Sequence, residues 1–248
     1  MNIIGFPIHT LPMRMMQEIL QGGADKLSEA GVSIIGGHSY EDHAPKYGLC
    51  VTGYIDSEQY VTKKGAKPGD ILVLTKPIGI GAVTTGIDLQ LTTPLLEEKV
   101  LEIMTALNQG ASAAMMKVGV HSCTDVTGFG LLGHLYEMVT ASSVSAEIRF
   151  SSIPYIPEAL DFIEKGAISS GTKNNRRMLE DKIDWDSNIS DTVKWLLYDA
   201  QTSGGLLMAV PPEKKGALIS ELKKEKCLAF AEIGEILPED ETPLRVAK

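Results

Sequence analysis

The segment Thr-Asp-Val-Thr-Gly-Phe-Gly at residues 124–130 constrains the fold of this chain more than any other. Asp125 lies between two hydroxyl residues, two glycines follow, and the apolar run 131–140 predicts a helix. Asp125 is therefore expected on a short turn before a helix N-terminus. A carboxylate suits Mg²⁺, and free N–H groups at a helix start attract phosphate oxygens. The alternative is structural: Asp125 or Thr127 caps the helix, and the glycines permit the turn.

Hydrophobic periodicity predicts further helices and strands along the chain. Helices are predicted over residues 11–27, 95–117 (long or broken), 131–140, 156–166, 174–181 and 213–226. Strands are predicted over residues 32–35, 47–55, 71–74, 146–150, 206–210 and 231–236. This interleaving of helices and strands is typical of an α/β or an α+β fold. The polar stretch 63–68, which contains Gly and Pro, indicates a domain boundary.

Composition excludes several classes of function. The formal net charge of −9 argues against binding to nucleic acid. No apolar stretch approaches the roughly 20 residues of a membrane span, and no signal peptide is recognised, so we expect no membrane partner. The three cysteines are far apart without CxxC spacing. They argue against a disulfide framework or a zinc site and fit a reducing cytoplasm.

A glycine-rich segment, Gly36-Gly37-His38-Ser39, follows the predicted strand 32–35. Glycines let the backbone approach a phosphate or an adenosine closely, and the Ser39 hydroxyl could donate to it. The alternative is a β-bulge or a tight turn without a ligand. We assign His38 no acid–base role.

Lys76 follows the predicted strand 71–74 and precedes Gly79 and Gly81. A lysine beside glycines suggests contact with an anion, although the spacing is not that of a Walker loop. The alternative is a solvated lysine. The segment Gln-Thr-Ser-Gly-Gly at residues 201–205 precedes a buried strand and either shapes a binding cleft or serves packing alone.

Two other groups could be mistaken for active sites. Glu41, Asp42 and His43 are consecutive in a predicted extended loop, so their side chains point in different directions and enclose one ion poorly. Cys123 is adjacent to the Asp125 turn, but the sequence places no histidine to activate it. We interpret the first group as a solvated loop and Cys123 as a buried structural thiol.

In their order along the chain, several segments resemble the signature of the selenophosphate synthetases (selenide, water dikinases), within the wider aminoimidazole ribonucleotide synthetase superfamily. The matching segments are residues 36–39, 44–49, 51–53, 67–70, 74–81, 123–135 and 201–207. Thr-Lys-Pro-x-Gly, Thr-Asp-Val-Thr-Gly-Phe-Gly and Gln-Thr-Ser-Gly-Gly together are specific to this family within the superfamily. The resemblance covers nearly the whole chain.

This resemblance implies an α+β fold. Residues 1–66 would be the back half of an N-terminal domain for ATP binding and dimerisation, and residues 67–248 a complete C-terminal α+β domain. The implied reaction uses ATP, selenide and water to form selenophosphate, AMP and phosphate, with Mg²⁺, in a homodimer.

The resemblance also implies roles for individual residues. Asp125 would bind the metal, and residues 36–39, Lys76 and Asn174 would face the nucleotide. Asn174 lies in a predicted polar loop, residues 171–175, that would line the cleft. Its alternative role is a helix N-cap.

One departure from the family pattern matters as much as the match. Family members carry an N-terminal segment with a reactive Cys or selenocysteine, a Lys and further metal-binding Asp residues, and no position here matches them. We therefore assign no catalytic residue and expect an N-terminally truncated, inactive chain, with an in-frame UGA codon upstream of Met1. The alternatives are a non-catalytic protein that binds a nucleotide or a partner, and another ATP-using enzyme of the superfamily.

Overall fold

The computed structural model describes residues 1–56 and 60–248, and the chain divides into two compact units, Met1–Tyr60 and Val61–Lys248. In these described residues no helix is long and apolar enough to cross a bilayer. Each unit has its own sheet, of three strands in the first and seven in the second.

The first unit contains β1 (Asn2–Phe6), α1 (Met13–Glu29), β2 (Gly37–Glu41) and β3 (Lys46–Leu49). Its strand order is β2-β1-β3, with β2 parallel and β3 antiparallel to β1. Ile4 and Phe6 of β1 are buried, as is Leu27 of α1. The Tyr47 ring lies over Gly23 of α1, where a Cβ would collide with it. The apolar alternation of β1 thus packs one face of the sheet against α1.

Of the two strands predicted in this unit, one was misplaced and the other was too long. Residues 32–36 form no strand, and β2 begins at Gly37, inside the glycine-rich segment 36–39. The strand predicted over 47–55 ends at Leu49. Pairing decides both limits, because β1 offers its backbone groups to residues 37–41 and 46–49 only. Ile35 is left 83% exposed.

The second unit alternates strands and helices. Its strands are β4 (Ile71–Leu74), β5 (Ser122–Asp125), β6 (Ser145–Arg149), β7 (Ile183–Trp185), β8 (Leu206–Val210), β9 (Ala231–Leu237) and β10 (Leu244–Ala247). Its helices are α2 (Ile80–Asp88), α3 (Pro94–Thr105), α4 (Gln109–Val118), α5 (Gly130–Ser142), α6 (Glu158–Glu164), α7 (Ser170–Leu179), α8 (Asp191–Tyr198) and α9 (Pro212–Lys224).

The large sheet has the order β5-β8-β4-β9-β6-β10-β7. Its pairs are antiparallel except those of β10, which runs parallel to both β6 and β7. Sequence periodicity predicted β4, β6, β8 and β9. It missed β7 and β10, whose few apolar positions are too short a pattern to recognise.

Helices cover both faces of this sheet around β4. Leu72 and Leu74 point into the main core, which includes Leu131, Leu135 and Leu196 from the helices α5 and α8. Val73 points to the other face. There it joins a smaller core formed with α4 and α9, which includes Met115, Met208, Leu218 and Leu222. Burial on both faces explains why β4 and β8 are continuous apolar runs.

Local signals set several helix limits. Thr93 accepts a hydrogen bond from Leu96 N at 3.3 Å and Pro94 opens α3, whereas Ser169 caps α7 and Ser190 caps α8. The helix predicted over 95–117 is broken into α3 and α4, because Ala106 adopts an extended conformation between them.

Residues 61–66 pack with the second unit. Ser122 Oγ donates to Lys63 O at 2.6 Å, and Ser142 Oγ accepts from Gly65 N at 3.0 Å and Ala66 N at 3.2 Å. The division between the units therefore follows Tyr60. The domain boundary after residue 66 and the roles of the two domains stay predictions.

Candidate functional site

Three loops of the second unit meet at one edge of the large sheet. Leu74 at the end of β4 pairs with Leu207, and Asp125 at the end of β5 pairs with Leu206. Because both strands run antiparallel to β8, their ends lie beside its start. The loops that meet there are residues 75–79, 126–129 and 199–205.

Asp125 is exposed at this edge as the last residue of β5. Among the described residues its carboxylate has no hydrogen bond or ion pair, so both oxygens can serve a cation. The capping alternative was wrong, since α5 begins after Phe129 without a side-chain cap. Thr127 Oγ1 instead lies 3.1 Å from His134 Nε2.

The described residues supply one candidate ligand for Mg²⁺ rather than a full set. In the part of the chain that the structure describes, no group of three or more His, Cys, Asp or Glu side chains could hold a metal ion. Mg²⁺ prefers octahedral oxygen coordination and is usually bound through one or two carboxylates with substrate phosphates and water. Asp125 fits such a partial role.

A buried carboxylate, Asp199, organises the loops behind Asp125. Its Oδ2 accepts hydrogen bonds from Ala82 N at 3.1 Å and Gln201 Nε2 at 3.0 Å, and its Oδ1 accepts from the Thr172 hydroxyl at 3.0 Å. The side chain is only 1% exposed, and burial raises the pKa of Asp199 to about 6. The carboxylate lies at the positive N-terminal end of α2, which favours its ionised form.

Gln201 completes the capping of α2. Its Oε1 accepts from Gly79 N at 3.1 Å and Ile80 N at 3.2 Å, so a side chain of the protein itself occupies these two backbone donors at the start of α2. Gly81 makes this approach possible. A Cβ there would overlap the Ala200 carbonyl oxygen and lie 2.6 Å from Asp199 Oδ1. The sequence motif at residues 201–205 therefore has a packing role in the structure.

Lys76 is buried in the same region. Its ammonium donates to three carbonyl oxygens, those of Ile103 at 3.0 Å, Ala106 at 2.7 Å and Ser203 at 2.7 Å. Burial lowers the pKa of Lys76 to about 8, which leaves it protonated at neutral pH. The alternative of a solvated lysine was wrong. Its three hydrogens are committed to carbonyls, so the predicted nucleotide contact would require one of these bonds to break.

Asn174 lies inside α7, not in a loop, and Ser169 rather than Asn174 caps that helix. Asn174 is exposed, whereas its neighbour Asn175 is buried. Asn175 Nδ2 donates to Gly128 O at 2.9 Å and to Tyr198 O at 3.0 Å. Asn175, and not Asn174, therefore supports the turn that follows Asp125. A nucleotide contact of Asn174 stays a prediction.

Gly36, Gly37, His38 and Ser39 all lie in the first unit and are exposed. Gly37 begins β2, where a Cβ would overlap the backbone of Asn2. The tight-turn alternative was wrong, because β2 is a regular edge strand paired in register with β1. Strand packing thus explains Gly37, and the nucleotide contact of this segment stays a prediction.

The two groups interpreted as non-catalytic have ordinary surroundings. Burial, followed by the charge of Asp125, raises the pKa of the Cys123 thiol to about 12, which opposes a nucleophilic role. Asp42 is paired with Lys46 at 2.6 Å, and Glu41 lies 3.6 Å from His9. The carboxylates of Glu41 and Asp42 thus have different partners.

One polar chain at the site was not predicted from the sequence. His134 Nδ1 lies 3.1 Å from Glu137 Oε2, which also accepts from Lys63 Nζ at 2.7 Å. Burial lowers the pKa of His134, which favours the neutral form of the ring. This series of polar contacts connects Lys63, through two residues of α5, to Thr127. A His and a Glu three residues apart on a predicted helix were its sequence signal.

Comparisons with known proteins agree with this architecture. The profile of AIR synthase related protein, C-terminal domain, matches residues 67–247, and that of the N-terminal domain matches residues 1–55. The chain is 43% identical over 239 residues to selenide, water dikinase of Pelobacter propionicus, covering 96% of this chain and 69% of that protein. The chain belongs to the selenide, water dikinase family.

A second member of the family, from Carboxydothermus hydrogenoformans, is 44% identical over 236 residues, which cover 95% of this chain and 68% of that protein. The chain thus spans about seven tenths of the length of these dikinases.

Solved structures at low identity show the same fold. The hydrogenase maturation protein HypE of E. coli superposes with a TM-score of 0.70 at 18% identity, over 100% of this chain and 69% of that one. Thiamine monophosphate kinase of Aquifex aeolicus gives a TM-score of 0.64 at 15% identity, over 99% and 71%. The predicted α+β fold of the superfamily is confirmed.

Proposed function

We propose that this chain belongs to an enzyme that forms selenophosphate from ATP, selenide and water, with AMP and phosphate as the other products. Two findings support the proposal. The chain is 43% identical to a protein named selenide, water dikinase. It also has an unpartnered carboxylate, that of Asp125, within the segment that resembles the family's signature. The Asp125 carboxylate is the stronger support for the proposal, because phosphoryl transfer depends mainly on positioned charge.

In this proposal Asp125 is one ligand of the Mg²⁺ that accompanies ATP. The metal, when bound, neutralises charge on the polyphosphate. The chain's own contribution is to hold Asp125 at the sheet edge. Val126 N donates to Gly205 O at 2.8 Å and Gln201 N donates to Thr127 O at 3.0 Å, so both sides of the turn are fixed by the 199–205 loop. A fixed ligand loses little entropy when the metal binds.

We also propose that these 248 residues alone do not catalyse the formation of selenophosphate. The described part of the chain offers one metal ligand at Asp125, and loss of a single electrostatic group at an active site costs about 10²–10³ in rate. The assay is selenide-dependent formation of AMP by the purified chain. Turnover comparable with that of the selenide, water dikinases to which the chain is similar would overturn this part of the proposal.

The Asp125 role has a test that does not need activity. Mn²⁺ replaces Mg²⁺ in such sites, and in the presence of ATP it should broaden NMR signals around residues 125–129. Asp125→Asn should abolish this broadening, because it removes the charged ligand from an exposed position without removing a partner.

Asp184→Asn is the matched control. Asp184 is an exposed aspartate on β7, at the opposite edge of the same sheet, and its replacement should leave the broadening intact. Equal broadening in wild type and Asp125→Asn would contradict the role of Asp125. Severe loss of stability in Asp125→Asn would show that the residue is structural.

A homodimer is the proposed assembly. In the first unit Ile3 and Tyr40 are 50% and 41% exposed, and they lie on the sheet face away from the buried Ile4 and Phe6. Both outer strands of that three-stranded sheet, β2 and β3, are also open edges among the described residues. Exposed apolar faces and open edges favour association.

The cytoplasm is the proposed location. Cys50, Cys123 and Cys227 are all free thiols in the structure, which suits a reducing compartment.

A further inference from the structure

A cavity lies between α5 and α7, beside the turn that follows Asp125. Its volume is about 210 Å³, below the roughly 300–1,000 Å³ of pockets for drug-sized ligands. The apolar part of its wall is made by Phe129, Tyr136, Met178 and Leu179. Phe129 is 50% exposed and Met178 is 66% exposed, so the cavity is open to solvent through apolar side chains. Its size and walls suit one or two flat rings.

Asn175 supplies a hydrogen-bond acceptor to this cavity. The residue is 5% exposed and lines the cavity, and both hydrogens of its amide nitrogen are committed to the carbonyls of Gly128 and Tyr198. Its Oδ1 has no partner among the described residues. In the described residues, the unpaired side-chain atoms that are fully enclosed are the hydroxyls of Tyr47 and Tyr198, so Asn175 Oδ1 is not one of them. Asn175 Oδ1 is therefore not fully enclosed, and Asn175 lines this cavity.

Glu137 supplies a second acceptor, which is charged. Lys63 and His134 both bind its Oε2, so Oε1 has no partner in the described part of the chain. Burial opposes ionisation of Glu137, but the hydrogen bond and charge of Lys63 outweigh it and hold the pKa below its ordinary value. The cavity thus combines a carboxylate, an amide oxygen and apolar walls, and it lacks a cationic side chain in its lining.

We propose that this cavity is a binding site for a small flat ligand that carries an amidinium or amino group, such as an aryl amidine or an aromatic amine. The rings would lie against Phe129 and Met178, and the N–H donors would reach Glu137 and Asn175. The free oxygens of Glu137 and Asn175 accept from N–H donors, and the carboxylate of Glu137 favours a cationic donor. This inference does not depend on selenophosphate synthesis and concerns a separate ligand.

Benzamidine is the probe for the test. In protein labelled at the methionine methyl groups, titration should shift the Met178 signal with a dissociation constant on the order of 1 mM. The Met116 methyl, 42% exposed on α4, should not shift. Benzoate, which has the same ring with the opposite charge, should bind at least about tenfold more weakly.

Glu137→Gln should weaken benzamidine binding at least about fivefold and leave the binding of neutral benzamide unchanged. Glu98→Gln, an exposed carboxylate on α3, is the charge-matched control and should have no effect. If Glu137→Gln fails to fold, Phe129→Ala replaces it and should weaken both benzamidine and benzamide.

Three results would overturn the proposal: no shift of Met178 at about 10 mM benzamidine, equal binding of benzoate, or unchanged affinity in both cavity variants. A Met178 shift that depends on protein concentration alone would show that a second copy of the chain fills the cavity instead.

Discussion

Replacing Asp199 by Asn should change the pH dependence of stability in a defined direction. Burial raises the pKa of Asp199 from 3.8 to about 6. Between these values the folded carboxyl holds a proton that the unfolded carboxyl has released. This group therefore makes folding less favourable as the pH rises through that window, and its cost is fully present above about pH 6.

The magnitude follows from linkage. A difference of about two pKa units corresponds to about 3 kcal/mol. Between about pH 4.5 and about pH 7.5 the change is about 2 kcal/mol, because the unfolded carboxyl is already mostly ionised at the lower pH. Asn cannot titrate. The stability of Asp199→Asn relative to wild type should therefore increase by about 2 kcal/mol over this range.

The network can accept the amide. An Asn Oδ1 in place of Asp199 Oδ2 would accept from Ala82 N and Gln201 Nε2, and its Nδ2 would donate to Thr172 Oγ1. The Thr172 hydroxyl would then turn to Ser169 Oγ, which lies 3.0 Å away. Ala82 N, Gln201 Nε2 and the Thr172 hydroxyl each keep a partner, so the variant is expected to fold.

Urea unfolding at the two pH values measures the effect. Both tryptophans, Trp185 and Trp195, lie in the second unit, so their fluorescence reports the unit that contains Asp199. Asp184→Asn controls for the loss of one negative charge. A stability difference between Asp199→Asn and wild type that stays constant with pH, or changes in the opposite direction, would refute the reasoning.

Three further predictions test other features of the structure. Lys76→Met should destabilise the protein by about 3 kcal/mol or more in urea unfolding, because it leaves three carbonyl oxygens unpaired. Lys117→Met, at an exposed ion pair, should cost less than about 1 kcal/mol, and equal costs would contradict the structural role of the buried Lys76. Iodoacetamide at about pH 8 should label exposed Cys50 at least about tenfold faster than Cys123, as mass spectrometry would show, because the pKa of Cys123 is raised to about 12. Tyr40→Glu should shift light scattering toward the monomer, and a wild-type chain that is already monomeric at high concentration would rule out the dimer.

Local sequence determined much of the second unit. The apolar runs at residues 71–74 and 206–210 predicted β4 and β8. A strand that is buried on both faces is a continuous apolar run, which is easy to recognise in a sequence. Spaced apolar residues predicted α5 and α9 within a few residues of their limits. The signature around Asp125, read as a family resemblance, gave the fold that the comparisons confirm.

In the first unit the sequence was a poor guide to strand limits. Val32 to Ile35 is β-branched, yet β2 lies at Gly37–Glu41. A strand is defined by its partner, and β1 pairs with the residues that the chain brings alongside it after α1. Propensity over four residues cannot specify that register.

Side-chain partners at the site were decided only by the tertiary structure. Sequence could place Lys76 beside glycines and Asp199 before a glycine motif, but it could not show which groups would be buried with them. Chain segments separated by more than a hundred residues meet at one sheet edge, where Gln201 caps α2 and Asp199 binds Ala82. Charge, hydrogen bonding and pKa depend on those distant neighbours, so the sequence determined the chemical groups and the fold determined what each of them can do.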